Sequence, residues 1–143
     1  MMKKKVYIAG PLFNDHERDF LEAIAFNLET EGFKCFLPHR DLTGVEESEL
    51  KTTSMTQKTK NKIFVADLTA LRESDLTVAL ITGWDIDSGT SAEIGYSFAQ
   101  RKPIIGIDAS ERRFRNLFVE GMITEKVQNI SAIIPAIKRA FSE

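Results

Sequence analysis

Short β-rich runs alternate with helical stretches along the whole of this chain, and that alternation predicts a parallel sheet. Neighbouring parallel strands need a crossover long enough to hold a helix, so the order of elements constrains the architecture before any single residue is weighed. Residues 5–9 form the first strand, closed by Gly10-Pro11. Asp15 then caps a helix to about Glu31, with Phe20, Leu21, Ile24 and Leu28 on one face and Gly32 as its stop. Residues 33–37 make the second strand, ended by Pro38, residues 76–81 the third, 103–107 the fourth and 127–130 a short fifth. A helix runs from near Thr56 to about Glu73, another opens through Gly89-Thr90-Ser91 and runs to Gln100, and Ser131 caps a last one to about Phe141. Residues 39–55 are polar and read as a loop with a short helical piece, while 111–122 shows no clear pattern.

Five parallel strands with crossover helices predict a doubly wound, flavodoxin-like α/β sheet of order 2-1-3-4-5. At 143 residues the chain is long enough for a real core and too short for two domains, so residues 1–143 read as a single domain. A net charge of −2 gives no electrostatic reason to expect nucleic acid or an anionic membrane as partner. The opening Met-Met-Lys-Lys-Lys resembles the start of a signal peptide, but Gly10-Pro11 cuts its apolar run after a few residues, and a strand is the better reading. One cysteine, Cys35, excludes an internal disulfide and suits a reducing compartment, so a cytoplasmic location is expected. In a strand, Cys35 reads as a small apolar filler.

The run from Trp84 to Tyr96 concentrates the chemistry. It puts Asp87 on a loop at a strand's C-terminal end, where open parallel sheets bind ligands, and Glu93 a turn and a half further on. Alone, Glu93 would pass for an acid favoured by a helix dipole, which also predicts that it is kept ionised. With Asp87 and Gly89 before it and Gly95 leaving room for close packing after it, the functional reading overtakes. A poised carboxylate beside a second acid in a ligand crevice suits nucleophilic attack at a sugar carbon. Gly10-Pro11-Leu12-Phe13 stands where a dinucleotide protein carries G-x-G-x-x-G, but with one glycine and a proline that lacks an N–H it is no such site, and no cofactor is expected. It is either a plain turn or a ligand wall, with Gly10 letting the backbone come close and Phe13 free to stack on a flat base. Asp67 lies mid-helix among apolar neighbours and faces either solvent or a pocket, while Asp75 reads as a turn or cap residue. His16 and His39 have no metal-ligand spacing, so no metal is expected. Lys51, Lys58, Lys60 and Lys62 read as solvated helix surface, and Arg112-Arg113-Phe114-Arg115 as a solvated patch or a phosphate contact.

Taken together, Tyr7-Ile8-Ala9-Gly10-Pro11-Leu12-Phe13, Asp67-Leu68, the Asp87-x-Gly89-Thr90-x-x-Glu93-x-Gly95 element and Lys102-Pro103-Ile104 resemble the nucleoside 2-deoxyribosyltransferases. The resemblance implies that Glu93 attacks the anomeric carbon of a deoxynucleoside, that the base leaves a deoxyribosyl-enzyme ester, and that a second base displaces the sugar. It further implies that Asp67 and Asp87 contact base and sugar, that Tyr7 positions the nucleophile, and that Gly10, Phe13 and Gly89 line the substrate. Asn116-Leu117-Phe118 is similar to the family's segment that reaches into a neighbouring subunit's pocket, which makes a homo-oligomer with shared sites the expectation. The partners implied are deoxynucleosides and free nucleobases. Two features depart from the pattern: the chain ends Phe141-Ser142-Glu143, without the family's terminal aromatic residue, and the arginines before Asn116 are more basic than a neutral nucleoside needs.

A related branch hydrolyses deoxynucleoside 5′-monophosphates and prefers a small hydroxyl residue at the position of Asp87. A desolvated carboxylate there would repel a phosphate by on the order of a few kcal/mol, which favours the nucleoside. The third reading is a non-catalytic module that senses a nucleotide, and the presence of both Asp87 and Glu93 weighs against it.

Overall fold

In the computed structural model, residues 4–42, 54–108 and 116–142 are described. Five strands, β1 (Lys5–Ala9), β2 (Lys34–Phe36), β3 (Leu76–Leu80), β4 (Ile104–Ile107) and β5 (Glu125–Val127), form one sheet in the order β2-β1-β3-β4-β5. Every pairing is parallel. The chain winds outward from β1 to β2, then returns to lay β3 on the other side of β1. The switch point, where ligands bind in sheets of this kind, therefore lies beyond the C-terminal ends of β1 and β3.

Alternate residues of the central strands feed two separate cores. Val6, Ile8, Val78, Leu80, Ile105 and Ile107 pack with Leu21, Ile24, Ala25 and Leu28 of α1 (Asp15–Thr30) and with Ile133, Ala136 and Ile137 of α5 (Ile133–Phe141). On the other face Tyr7, Ala9, Ala79, Ile81 and Ile104 meet Leu71 of α2 (Gln57–Glu73), Ile94 of α3 (Ser88–Ala99) and Val119 of α4 (Leu117–Gly121). All five positions of β3 are buried, as expected of a central strand covered on both sides.

Most predicted elements stand within a residue or two of their expected bounds, and three details differ. The N-cap of α1 is Asn14, whose Oδ1 accepts from the Glu17 N–H, so Asp15 becomes the first helical residue. The fifth strand is Glu125–Val127 instead of 127–130. Residues 130–132 form a single turn of tighter helix capped by Asn129 instead of Ser131, and α5 follows with no side-chain cap. Gly32 does stop α1, at φ 93, a backbone conformation that costs glycine little. Lys102 Nζ donates to the carbonyls of Leu71 and Arg72, satisfying groups that the end of α2 leaves open. Asp75 accepts from the Lys5 N–H and ties the start of β1 to that of β3. Cys35 packs half-buried against the first core, and burial pushes its thiol up to about 12. Lys51, Arg112, Arg113, Arg115 and residues 43–53 of the polar loop lie outside the described residues. No helix among the described residues is long and apolar enough to cross a membrane.

Candidate active site

Glu93 is the sixth residue of α3 and points back over the sheet to β1, where the Tyr7 hydroxyl donates to its Oε2. Tyr7 is fully buried, and its ring stacks on Phe36 of β2 with centroids 5.6 Å apart. Burial and the neighbouring Glu93 and Asp67 carboxylates raise the Tyr7 phenol well above its ordinary range, so it stays a donor.

Burial also pushes the Glu93 carboxyl up to about 7; the Tyr7 hydrogen bond pulls it down, and the charges of Asp67 and Asp87 push it up again. This corrects the expectation that the helix end keeps Glu93 ionised. The helix dipole acts within the first turn, Glu93 sits in the second, and desolvation outweighs it. At neutral pH the group is balanced between its two forms. Packing room is not what Gly95 supplies either, since a Cβ there would make ordinary contact with Met122 Cε at 3.9 Å.

Asp87 is the N-cap of α3: its Oδ2 accepts from the N–H and the hydroxyl of Thr90, each at 3.1 Å. Cap and site are thus one residue, close enough for its charge to act on Glu93. A Cβ at Gly89 would stand 3.4 Å from Asp87 Oδ2, so a small residue there leaves the capping carboxylate undisturbed.

Asp67 faces a pocket, the second of its two readings. It lines a cavity of about 710 Å³ between the exits of β1 and β2, with Leu12, Arg18, Glu22, His39 and Ile63 among the other walls. Its Oδ1 is buried with no hydrogen-bond partner, and burial pushes its carboxyl up to about 6. A buried orphan acceptor in a cavity wall is what a ligand's donor would satisfy. Acids dominate the described wall: Asp15, Asp19, Glu22 and Asp67 against Arg18, which Asp15 holds at 2.6 Å and the Leu12 carbonyl at 2.7 Å.

His39, considered above only as a metal ligand, belongs to this wall. Its Nε2 lies 2.8 Å from Glu22 Oε2, and its Nδ1 is a second buried orphan. Pro38, which follows β2 and lines the same cavity, marks this wall in the sequence. Gly10 serves the fold: a Cβ there would come within 2.7 Å of Leu21 Cδ2 and 3.1 Å of Leu80 Cβ, so the missing side chain makes room for the core. Phe13 is 77% exposed beside the β1 exit. Asn116 caps α4, its Oδ1 accepting from the N–H groups of Phe118 and Val119, and Phe118 is 80% exposed. Of Tyr7, Asp67, Asp87 and Glu93, Asp67 alone is among the described residues lining the cavity, and within this single chain Asn116 and Phe118 do not line it either.

Solved structures share this arrangement of elements. A conserved protein from Enterococcus faecalis V583 superposes with a TM-score of 0.80 at 22% identity, covering 98% of this chain and 100% of its own. A 2-deoxyribosyltransferase from Bacillus psychrosaccharolyticus follows at 0.77 and 22%, covering 90% of this chain and 89% of its own. The CMP N-glycosidase BcmB of Clostridium botulinum gives 0.60 at 18%, covering 94% and 99%. No curated protein matches the sequence. At these identities the structures speak for the fold. The sequence itself goes further, since the family model described as nucleoside 2-deoxyribosyltransferase matches residues 6–132, a span that holds the Tyr7–Glu93 pair, Asp67 and Asp87 together. A half-buried carboxylate held by a tyrosine beside the switch point of the sheet thus sits inside the matched span, and the chain belongs to the nucleoside 2-deoxyribosyltransferase family.

Proposed function

We propose that the protein transfers 2-deoxyribose between purine and pyrimidine bases through a covalent ester on Glu93. The observation that carries this reading is the Tyr7–Glu93 hydrogen bond, which holds a half-buried carboxylate between β1 and α3. A Glu93 oxygen attacks C1′ of the deoxynucleoside as the N-glycosidic bond breaks, and the departing base keeps the electron pair. Asp67, raised to about 6, supplies the proton that neutralises that base. A nitrogen of the second base then attacks C1′, the ester bond breaks, Glu93 is released as a carboxylate, and the incoming base's proton returns to Asp67. Two displacements restore the sugar's configuration. The sugar lacks an electron-withdrawing 2′-hydroxyl, so positive charge builds readily at C1′, and the ionised Glu93 stabilises it before capturing it.

The acidic cavity favours a neutral nucleoside over a 5′-monophosphate, because four carboxylates line its described wall and its arginine is already paired. Asn116 and Phe118 of a neighbouring subunit complete the pocket in this reading, and the exposure of Phe118 supports it. Hydrolysis of a deoxynucleoside monophosphate is the second reading, favoured by the fold shared with a CMP N-glycosidase. Incubation with deoxyinosine and with its 5′-monophosphate, each with and without adenine, separates them. Formation of deoxyadenosine supports transfer, release of hypoxanthine alone supports hydrolysis, and no reaction in either supports a nucleotide-sensing module. Mass spectrometry after a denaturing quench then locates the sugar adduct, expected on the peptide that contains Glu93.

A further inference from the structure

A hydroxyl pair sits in the middle of the second core. Thr77 Oγ1 of β3 and Ser97 Oγ of α3 lie 2.7 Å apart, both side chains essentially inaccessible to water. We propose that this bond is the second half of a clamp between sheet and helix, and that Thr77 and Ser97 are positioning residues that hold Glu93 against Tyr7. The proposal rests on the reading of Glu93 as the nucleophile.

Register puts the pair where a clamp needs it. Thr77 is the direct partner of Tyr7 across the β3–β1 pairing, so the two side chains stand side by side on one face of the sheet. Ser97 follows Glu93 by four residues in α3, so those two side chains share one face of the helix. Four residues of helix advance by about 6 Å, and adjacent strands lie about 4.8 Å apart, spacings that let both bonds form together. Beside the apolar packing of Ile94, the Tyr7–Glu93 bond alone would be a single directional tie between α3 and β1. The Thr77–Ser97 bond adds a second directional tie.

Stability does not account for the pair. Thr77 and Ser97 share this core with the apolar Ile81, Ile94 and Ile104. Replacing both partners of a buried hydrogen bond by apolar groups of similar shape is close to neutral or stabilising. What the bond adds over an apolar contact is direction, because apolar surfaces tolerate sliding and a hydrogen bond does not.

The test is the double variant T77V/S97A beside Thr77→Ser, which keeps the hydroxyl. Two readouts are taken on protein shown by thermal melting to be folded. One is kcat and KM for base exchange, and the other is the ionisation midpoint of Glu93, followed by carbon NMR on carboxyl-labelled protein with Glu93→Gln as assignment control. The clamp requires kcat to fall by at least about tenfold with KM within about twofold, since a small misplacement of reacting groups acts on the chemical step. It also requires the Glu93 midpoint to rise by about half a pH unit or more, because the Tyr7 bond that lowers it is loosened. Thr77→Ser should retain wild-type values. An unmoved Glu93 midpoint in the double variant overturns the clamp, whatever kcat does. If the wild type shows no turnover, the functional reading fails and the midpoint still decides the clamp. Should the double variant not fold, Ser97→Ala alone carries the same readouts.

Discussion

The Tyr7 hydroxyl donates to Glu93 Oε2, joining a strand to a helix across 86 positions of sequence. Its effect on Glu93 opposes that of burial, and the carboxyl settles at about 7. Removing the donor while keeping the ring should therefore be visible in the pH dependence. In Tyr7→Phe the ionised form of Glu93 loses stabilisation, so the acid limb of kcat against pH should move upward by about one pH unit. Turnover at pH 7 should drop by about fivefold through ionisation and recover most of that loss at pH 9. A limb that stays near pH 7 would show that Tyr7 does not act on Glu93.

Glu93 should also weaken the fold that holds it. Its folded value lies above the ordinary 4.5, so the folded state binds the proton more tightly than the unfolded state does. The stability contributed is full below about pH 4.5 and is lost as pH rises through about 7. Moving a carboxyl from 4.5 to about 7 corresponds to about 3 kcal/mol. Glu93→Gln, with the same shape and no charge, should be more stable than its parent at pH 8 by up to that amount, on the order of 1–3 kcal/mol. The gap should close toward pH 5, as read by denaturant unfolding at several pH values. The same variant should lose nearly all base exchange, because an amide is a poor nucleophile.

Asp87 carries a charge and a cap in one side chain, and serine can replace the second without the first. Asp87→Ser should cost less than about 1 kcal/mol of stability, since both residues are good caps. It should lower turnover of deoxynucleosides and raise that of their 5′-monophosphates, shifting the ratio of kcat/KM by about tenfold. A wild type that already prefers monophosphates would replace the transferase reading with the hydrolase one.

Shared sites predict complementation between inactive chains. Glu93→Ala and Asn116→Ala should each be inactive alone, and mixing them under exchanging conditions should restore part of the activity through hybrid sites. Asn116 also caps α4, so Asn116→Asp, which keeps the capping oxygen, serves as a control for folding. Full activity in a monomer, measured by sedimentation at assay concentration, would rule the shared site out.

Strand order was legible because alternation and crossover length leave few ways to wind a parallel sheet. The fifth strand was placed too late because its true start, Glu125-Lys126, is charged, and an edge strand half-open to water does not need the apolar run that marks an inner one. Asn14 and Asp15 are both good caps, and only the backbone decides between neighbours. The motif around Glu93 stood out from its spacing, yet its ionisation did not. Helix position is visible in a sequence, whereas the depth at which a side chain ends up depends on α2 and β1, both distant along the chain. Periodicity likewise assigns Thr77 and Ser97 to faces without saying that they meet.

Gly10 stands three residues before Phe13 in the chain, but the two answer to different constraints. Any side chain at position 10 collides with Leu21 and Leu80, so that position is closed to change by the interior. Phe13 stands clear in solvent and is constrained only by what arrives there. A loop of a few residues thus carries one position that the core crowds and another whose side chain the core does not hold. In the proposed reading of Phe13 as a wall of the substrate site, preference can shift by substitution at 13 while the seating of α1 on β1 stays where it is.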